Sequence, residues 1–299
     1  MTSIAIVGPG AVGSTVAAWL LQNPQHDVTL AARTPLAELE VETPERTLRG
    51  TPRVITGVAQ ATPVEWILVA TKAYDSAAAA SWFGRLCDER TTIAVLQNGV
   101  EHIERFAPYI ATERILPVMV DIPAVRSAPG RVRQRRNGRM VVPESENGAR
   151  FVHLFAHTPI AVTQTADFTS ETWRKLCVNS AGALSAILLK PAAIARHDGV
   201  ADIMRAIIRE CIAVGRAEGA IIDDSIVDEV IAGYRNSPSS INSIHADRIA
   251  GRTMEIDARN GVIVRLGRKH GIATPVNEMI VALLEAASCE SVLKVTQAG

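Results

Sequence analysis

The sequence predicts an α/β fold: a doubly wound parallel sheet over the first half of the chain, followed by an all-helical domain. Three observations predict it. Short, fully apolar runs alternate with stretches of helical spacing over the first hundred or so residues. A glycine-punctuated turn joins the first run to the first helix. From about Thr169 onward the apolar positions recur at helical spacing only.

In chain order, Ile4-Ala5-Ile6-Val7 reads as a strand buried on both faces, because a parallel sheet covered by helices leaves no polar side. Residues 11–22 have helical spacing, and Asp27 to Leu30 make a second strand. Trp66-Ile67-Leu68-Val69-Ala70 and Thr92-Ile93-Ala94-Val95-Leu96 are further buried strands, separated by an Ala-rich helix around residues 75–86. Strand, helix, strand in this rhythm builds a parallel sheet. Residues 113–165 look richer in strand, with Pro117, Pro123, Pro129 and Pro143 as punctuation. The basic stretch Arg131–Arg139 reads as a solvated hairpin rather than a nucleic-acid surface.

Residues 170–187, 200–218, 224–234, 255–270 and 276–288 read as helices, with Gly219, Gly233 and Gly271 near their ends. The segment 203–214 is apolar almost all round, which predicts the centre of a helical domain. The domain boundary falls near residue 167, giving domains 1–167 and 168–299.

Composition limits the function. A chain of 299 residues can bury two cores. Lys+Arg and Asp+Glu both total 31, whereas a nucleic-acid or acidic-lipid partner normally asks for a basic excess. Cys87, Cys177, Cys211 and Cys289 form no CxxC pair, so neither a disulfide framework nor a zinc or other metal site is expected. Met1 leads straight into a strand, with no basic n-region or cleavage site. No apolar run approaches the ~18 residues of a membrane span. The expectation is a soluble, cytoplasmic protein with no membrane contact.

Gly8-Pro9-Gly10-Ala11-Val12-Gly13 is GxGxxG, a weak signal alone. Here it follows a buried strand, opens a helix and lies inside a βαβ unit, the context of a Rossmann-type dinucleotide site. Gly8 permits the tight turn, Gly10 lets backbone approach the pyrophosphate, and Gly13 lets helix and strand pack closely. An NAD site usually carries an acid about 20 residues after the loop, on the ribose 2′-hydroxyl. Leu30-Ala31-Ala32-Arg33-Thr34 has no acid, and Arg33 can clamp a 2′-phosphate through charge-assisted hydrogen bonds. NADPH is therefore expected over NADH, although Arg33 also reads as an ordinary exposed loop residue.

In the second domain Lys175, Asn179 and Ala183 are spaced one turn apart on a helix face. A Lys and an amide so placed can hold and polarise a substrate carbonyl or carboxylate. Glu255 sits at the start of another predicted helix, and a Lys near a carboxylate is a candidate proton donor for ketone reduction. Spacing alone does not separate these residues from solvated helix faces.

The chain resembles the ketopantoate reductase (2-dehydropantoate 2-reductase) family over nearly its whole length. The residues carrying the resemblance are Gly8–Gly13, Thr71-Lys72, Gln97-Asn98-Gly99, Trp173-Arg174-Lys175-Leu176 with Asn179, Ser243 with Asp247, and Glu255-Ile256-Asp257 with Asn260-Gly261. It implies a helical second domain like the C-terminal domain of 6-phosphogluconate dehydrogenase, and a cytoplasmic oxidoreductase of pantothenate biosynthesis. It also implies roles. Lys175 would donate a proton to the carbonyl oxygen as hydride arrives from NADPH. Asn98 would lie near nicotinamide and carbonyl, and Lys72 at the cofactor. Asn179 and the Asn242-Ser243 pair would bind substrate, and Glu255 would contact the cofactor ribose and help set the state of Lys175. Backbone near Val125 would line the nicotinamide pocket.

The chain departs from the family pattern at three places. Ala183 and Ala193 stand where amides are expected, and Asn242-Ser243 replaces a Ser pair. Losing amide donors should shift preference toward a less polar substrate. Reduction of 2-dehydropantoate therefore stands beside reduction of another 2-oxo acid or small carbonyl compound. A non-catalytic NADP-binding regulator is a third reading, against which Lys175 speaks. The helices at 203–214 and 276–288 could pack internally or form a homodimer.

Overall fold

The computed structural model describes residues 1–288. Cys289 and the last part of the segment 168–299 lie outside the described residues. The chain divides into two compact units, Met1–Phe168 and Thr169 onward.

The first unit begins with β1 (Thr2–Val7), α1 (Ala11–Leu20) and β2 (His26–Ala31). It continues through β3 (Leu39–Glu42), β4 (Thr47–Gly50), β5 (Arg53–Ile55) and β6 (Trp66–Val69). Then come α2 (Ser76–Ala80), α3 (Phe83–Leu86), β7 (Thr92–Val95), β8 (Ile115–Pro117) and β9 (Met119–Asp121). It closes with β10 (Ala124–Ala128), β11 (Arg131–Gln134), β12 (Arg139–Pro143), α4 (Glu146–Leu154) and β13 (Ala161–Thr165).

Six strands form one all-parallel sheet in the order β5-β2-β1-β6-β7-β8. Side chains alternate across a strand, so Ile4 and Ile6 enter one core and Ala5 and Val7 the other. The first core also holds Trp66, Leu68, Val16 of α1 and Phe151 of α4; the second holds Ile67, Val69, Ile93, Phe83 and Phe106. Both faces are covered, which is why these strands read as unbroken apolar runs. Each fully buried Ile or Leu contributes about 1.5–3 kcal/mol.

The unit contains more strand than the sequence predicts. A four-stranded sheet, β10-β11-β3-β4, packs its inner side on α1, where the Trp19 indole N–H donates to Gln134 Oε1 at 2.9 Å. The basic stretch is not a single hairpin. Arg131 and Arg133 lie on β11, paired with β10 and with β3, whereas Arg139 opens β12 in a third sheet, β13-β12-β9. Arg131 and Arg133 face Glu40 and Glu42 on β3 at 2.7 and 2.9 Å, cross-strand partners of opposite charge. A helix also interrupts the strand-rich region: α4 is capped by Ser145, whose Oγ accepts the Gly148 N–H at 2.9 Å.

The second unit is helical: α5 (Phe168–Ala181), α6 (Ala183–Leu188), α7 (Asp198–Ala217), α8 (Ile226–Asn236), α9 (Ser243–Ile249), α10 (Val262–His270) and α11 (Pro275–Ser288). The helix expected over 170–187 breaks at Gly182. The one expected over 255–270 begins with a π-helical turn at Asp257–Gly261, leaving Glu255 just ahead of it. The α7 helix is not apolar all round: Met204, Ile207, Ile208, Cys211 and Ile212 are buried on one broad face, while Ile203 is 43% exposed. Cys177 and Cys211, distant in sequence, bring their buried thiols to 3.6 Å, and burial pushes the Cys211 thiol well up. No described helix is long and apolar enough to cross a membrane. Among the described residues no group of His, Cys, Asp or Glu could hold a metal ion.

Candidate active site

The chain leaves β1 to pair with β2 on one side and β6 on the other, and such a switch point opens a crevice at the carboxyl ends of the strands. Four of the predicted site segments follow those ends. Gly8–Gly13 follows β1, Arg33 follows β2, Thr71-Lys72 follows β6, and Gln97-Asn98 follows β7.

The glycine loop is built for close approach. Gly8 has φ +88°, a left-handed conformation that favours glycine, and a Cβ there would meet Thr71 Cγ2 at 2.6 Å. A Cβ on Gly13 would meet Gly8 O at 2.5 Å and Ala70 Cβ at 3.0 Å, so Gly13 sets the contact of α1 with the sheet. A Cβ on Gly10 would have Gly8 O as its nearest neighbour at 4.0 Å: the space over Gly10 is open. No side chain caps α1, and its first backbone bond runs from the Ser14 N–H to Gly10 O. The N–H groups of Ala11, Val12 and Gly13 precede that bond and lie at the positive end of the helix dipole. Pro9 accepts the Ser14 hydroxyl at 2.9 Å, which pins the loop. An open cradle of N–H groups at a helix N-terminus fits a dinucleotide pyrophosphate.

Around it, Arg33 is exposed and reaches Asp75 Oδ2 at 3.4 Å. Lys72 is half-buried, and its carbonyl accepts from Gln97 Nε2 at 3.3 Å. Gln97, buried, also donates to Thr71 Oγ1 at 3.0 Å and accepts from Ser76 Oγ at 3.1 Å. Its carbonyl meets His102 Nε2 at 3.0 Å. The Asn98 carbonyl accepts from Arg105 Nη1 at 2.8 Å, and Gly99 turns the chain with φ +100°. Gln97 and Arg105 thus hold the backbone that presents Lys72 and Asn98, a role the sequence reading did not assign. Val125 lies half-buried on β10, in the sheet that packs on α1.

In the second unit Lys175 and Asn179 are half-buried, one turn apart on α5. Asn242, expected at the substrate together with Ser243, has a structural partner at each end of its amide. It is the N-cap of α9: its Oδ1 accepts the His245 N–H at 3.0 Å and its Nδ2 donates to Gly182 O at 2.9 Å. Both ends of the amide serve the backbone, so Asn242 positions Ser243 at the first turn of α9. A Cβ on Gly182 would meet Tyr234 Oη at 2.5 Å and Asn242 Nδ2 at 2.6 Å, so only glycine admits both. Desolvation pushes the Tyr234 phenol up to about 12, and its O–H donates to the Val178 carbonyl at 3.0 Å. Ala183 is fully buried and Ala193 half-buried.

Arg259 is the residue that sequence reasoning left without a role. Only 2% exposed, it donates from Nη1 to the Asn179 carbonyl at 3.1 Å and from Nη2 to Ser243 Oγ at 2.6 Å. Burial lowers its pKa, opposed by Glu255, Tyr234 and Asp247. Its π-helical turn is anchored by Asn260, whose Nδ2 donates to the Ser180 carbonyl at 3.2 Å and to Asn277 Oδ1 at 2.9 Å. Asn277 in turn meets Glu210 of α7 at 2.6 Å. Glu255 is buried, 4% exposed, beside this turn.

A parallel sheet with a phosphate loop at its switch point, followed by a helical unit bearing half-buried Lys175, defines the class of two-unit dinucleotide-binding proteins. Comparison with known proteins narrows it. The family model described as ketopantoate reductase PanE/ApbA matches residues 4–147, and its C-terminal counterpart matches residues 167–288. A 2-dehydropantoate 2-reductase of Caulobacter vibrioides is 57% identical over 96% of this chain and 100% of its own length. One from Mycobacterium tuberculosis is 42% identical over 96% of this chain and 98% of its own. The crystal structure of 2-dehydropantoate 2-reductase from Geobacter metallireducens superposes with a TM-score of 0.90 at 27% identity, covering 95% of this chain and 99% of that one. The chain belongs to the ketopantoate reductase family.

Proposed function

We propose that the chain reduces 2-dehydropantoate to pantoate with NADPH. When bound, the nicotinamide supplies hydride to the ketone carbon; the chain's own residues do the rest. Gly8–Gly13 receives the pyrophosphate on backbone N–H groups, Arg33 takes the 2′-phosphate, and Lys72, Asn98 and Val125 border the cofactor. In the helical unit Asn179 and Ser243 hold the 2-oxo acid. Lys175 presents its ammonium to the carbonyl oxygen, stabilises the charge that develops there and gives up a proton. One hydride and one proton convert C=O to CH–OH, and solvent returns the proton to Lys175. Glu255 balances the ammonium of Lys175 and contacts the cofactor ribose.

The observation that carries this reading is the tie made by Arg259. It links the C-terminal end of α5, which bears Lys175 and Asn179, to Ser243 of α9. The identity of 57% to a 2-dehydropantoate 2-reductase supports the substrate. Replacing Lys175 by Ala tests it: turnover of 2-dehydropantoate falls by about 10²–10⁴-fold, as for loss of a positioned acid. NADPH binding, followed by nicotinamide fluorescence, stays within a few-fold. Unchanged turnover would remove Lys175 from the chemistry. A steady-state screen of 2-oxo acids against NADPH tests the substrate, and faster turnover of a less polar acid would replace 2-dehydropantoate.

A further inference from the structure

Ser243 is exposed, yet directly behind it lies a buried guanidinium, a costly group to place in a helical core. Arg259 has no acceptor atom and five N–H donors. Its contact with Ser243 at 2.6 Å therefore has one direction: Nη2 donates and Oγ accepts. One of the two serine lone pairs is engaged from the inside, and the hydroxyl hydrogen, which cannot go to the guanidinium, is free to serve a ligand as donor. The same guanidinium spends a second donor on the Asn179 carbonyl at 3.1 Å, and its buried Nε has no partner. Glu255, Asp247 and Tyr234 act on its charge, which fixes it in place without removing it from the back of Ser243.

We propose that Arg259 is the positioning residue that backs the Ser243 hydroxyl with positive charge and so selects a substrate carrying a carboxylate next to its carbonyl. This rests on the reading of the chain as a 2-oxo acid reductase and deepens it. Arg259 acts through Ser243, by polarising its hydroxyl and placing a positive charge one hydrogen bond behind it. That answers the absence of side-chain amides at Ala183 and Ala193. The carboxylate is recognised by a charge-backed hydroxyl rather than by extra amides, so a less polar substrate need not follow.

The test compares a 2-oxo acid with its neutral methyl ester, using 2-dehydropantoate and its ester with NADPH. The wild-type enzyme prefers the acid. In Arg259→Met the KM for the acid rises by about 10- to 100-fold, the range expected when a charge-assisted hydrogen bond is lost. Its kcat and the KM for the ester change little, and Arg259→Lys recovers part of the preference. Ser243→Ala lowers the preference by itself, and adding Arg259→Met to it lowers the preference no further. A purely structural arginine would raise both KM values together, or lower kcat for both compounds, and either result overturns the proposal. So does additivity of the two substitutions. Should Arg259→Met fail to fold, Arg259→Lys and Ser243→Ala carry the comparison, and an unchanged acid-to-ester ratio in both overturns it. Failure of the wild-type enzyme to reduce any 2-oxo acid would instead refute the underlying function.

Discussion

Arg33 and Gly182 act through opposite properties, one by reaching out and the other by leaving room. Arg33 is exposed and its contact with Asp75 is an isolated surface ion pair, which holds the side chain weakly. A 2′-phosphate offers a stronger, doubly charged partner, so the pair yields to it. Arg33→Ala is expected to raise the KM for NADPH about 10-fold or more while leaving that for NADH unchanged. An equal rise for both cofactors would take Arg33 out of phosphate recognition. Gly182→Ala drives a methyl group into Tyr234 Oη and Asn242 Nδ2. Overpacking of this kind costs typically about 1–3 kcal/mol. Thermal unfolding should register it as a lowered midpoint, and an unaltered one would mean that Tyr234 and Asn242 give way freely.

The loop and helix at the start of the chain allow a cleaner separation of folding from binding. A Cβ at Gly13 collides with the Gly8 carbonyl and Ala70, whereas one at Gly10 meets open space. Gly13→Ala is therefore expected to lower the unfolding midpoint. Gly10→Ala should leave the midpoint of the free protein unchanged while weakening NADPH binding, measured by titration. If Gly10→Ala binds NADPH as the wild type does, the pyrophosphate does not lie over that residue. The π-helical turn depends on buried amides in the same way. Asn277→Leu removes one of the two acceptors of Asn260 Nδ2 and the side-chain donor to Glu210, each of which keeps other partners, so the unfolding midpoint should fall by the loss of two hydrogen bonds, about 0.5–1.5 kcal/mol each.

Much of this scale is visible in the amino-acid order. Ile4–Val7, Trp66–Ala70 and Thr92–Leu96 read as strands because helices cover both faces of their sheet. β3 and β4 escape notice because each is four residues long and breaks its buried positions with more exposed ones. Their hydrophobic content comes from packing on α1, which no local window shows. Helix α4 does leave a trace, in Ser145 before the spaced Phe151, Leu154 and Phe155, but the prolines around it suggest strands. Arg259 is hidden more deeply. It stands in a charged stretch with Asp257 and Arg265, which looks like a solvated helix face; only the π-helical turn shows that it points inward.

For the molecule as a whole, ligand linkage offers the check that does not depend on turnover. A ligand at 100 times its Kd stabilises the folded state by about 2.7 kcal/mol. NADPH at that excess should raise the unfolding midpoint of the wild type and of Lys175→Ala alike. The same concentration should do less for Gly10→Ala and for Arg33→Ala. A shift abolished by Lys175→Ala would make that lysine part of the cofactor site rather than a proton donor. The candidate site was partly foreseeable at this scale too. The segments following the strand ends were identifiable from order and spacing, while the supporting roles of Gln97, Arg105 and Asn242 follow from contacts between residues whose partners no spacing rule names.

The π-helical turn at Asp257–Gly261 also sets a rule about chain length. Its bonds, such as that from the Gly261 N–H to the Ile256 carbonyl, enclose one residue more than an α turn does. Loss of Ala258 alone would let the helix close to ordinary pitch, and the composition would barely change. Everything upstream would then be out of phase by about 100°, the angular step of one helical residue. Glu255 and Arg259 would both survive as letters in the sequence while the guanidinium turned away from Ser243. The enzyme would be disarmed by a change of count, with both residues still present.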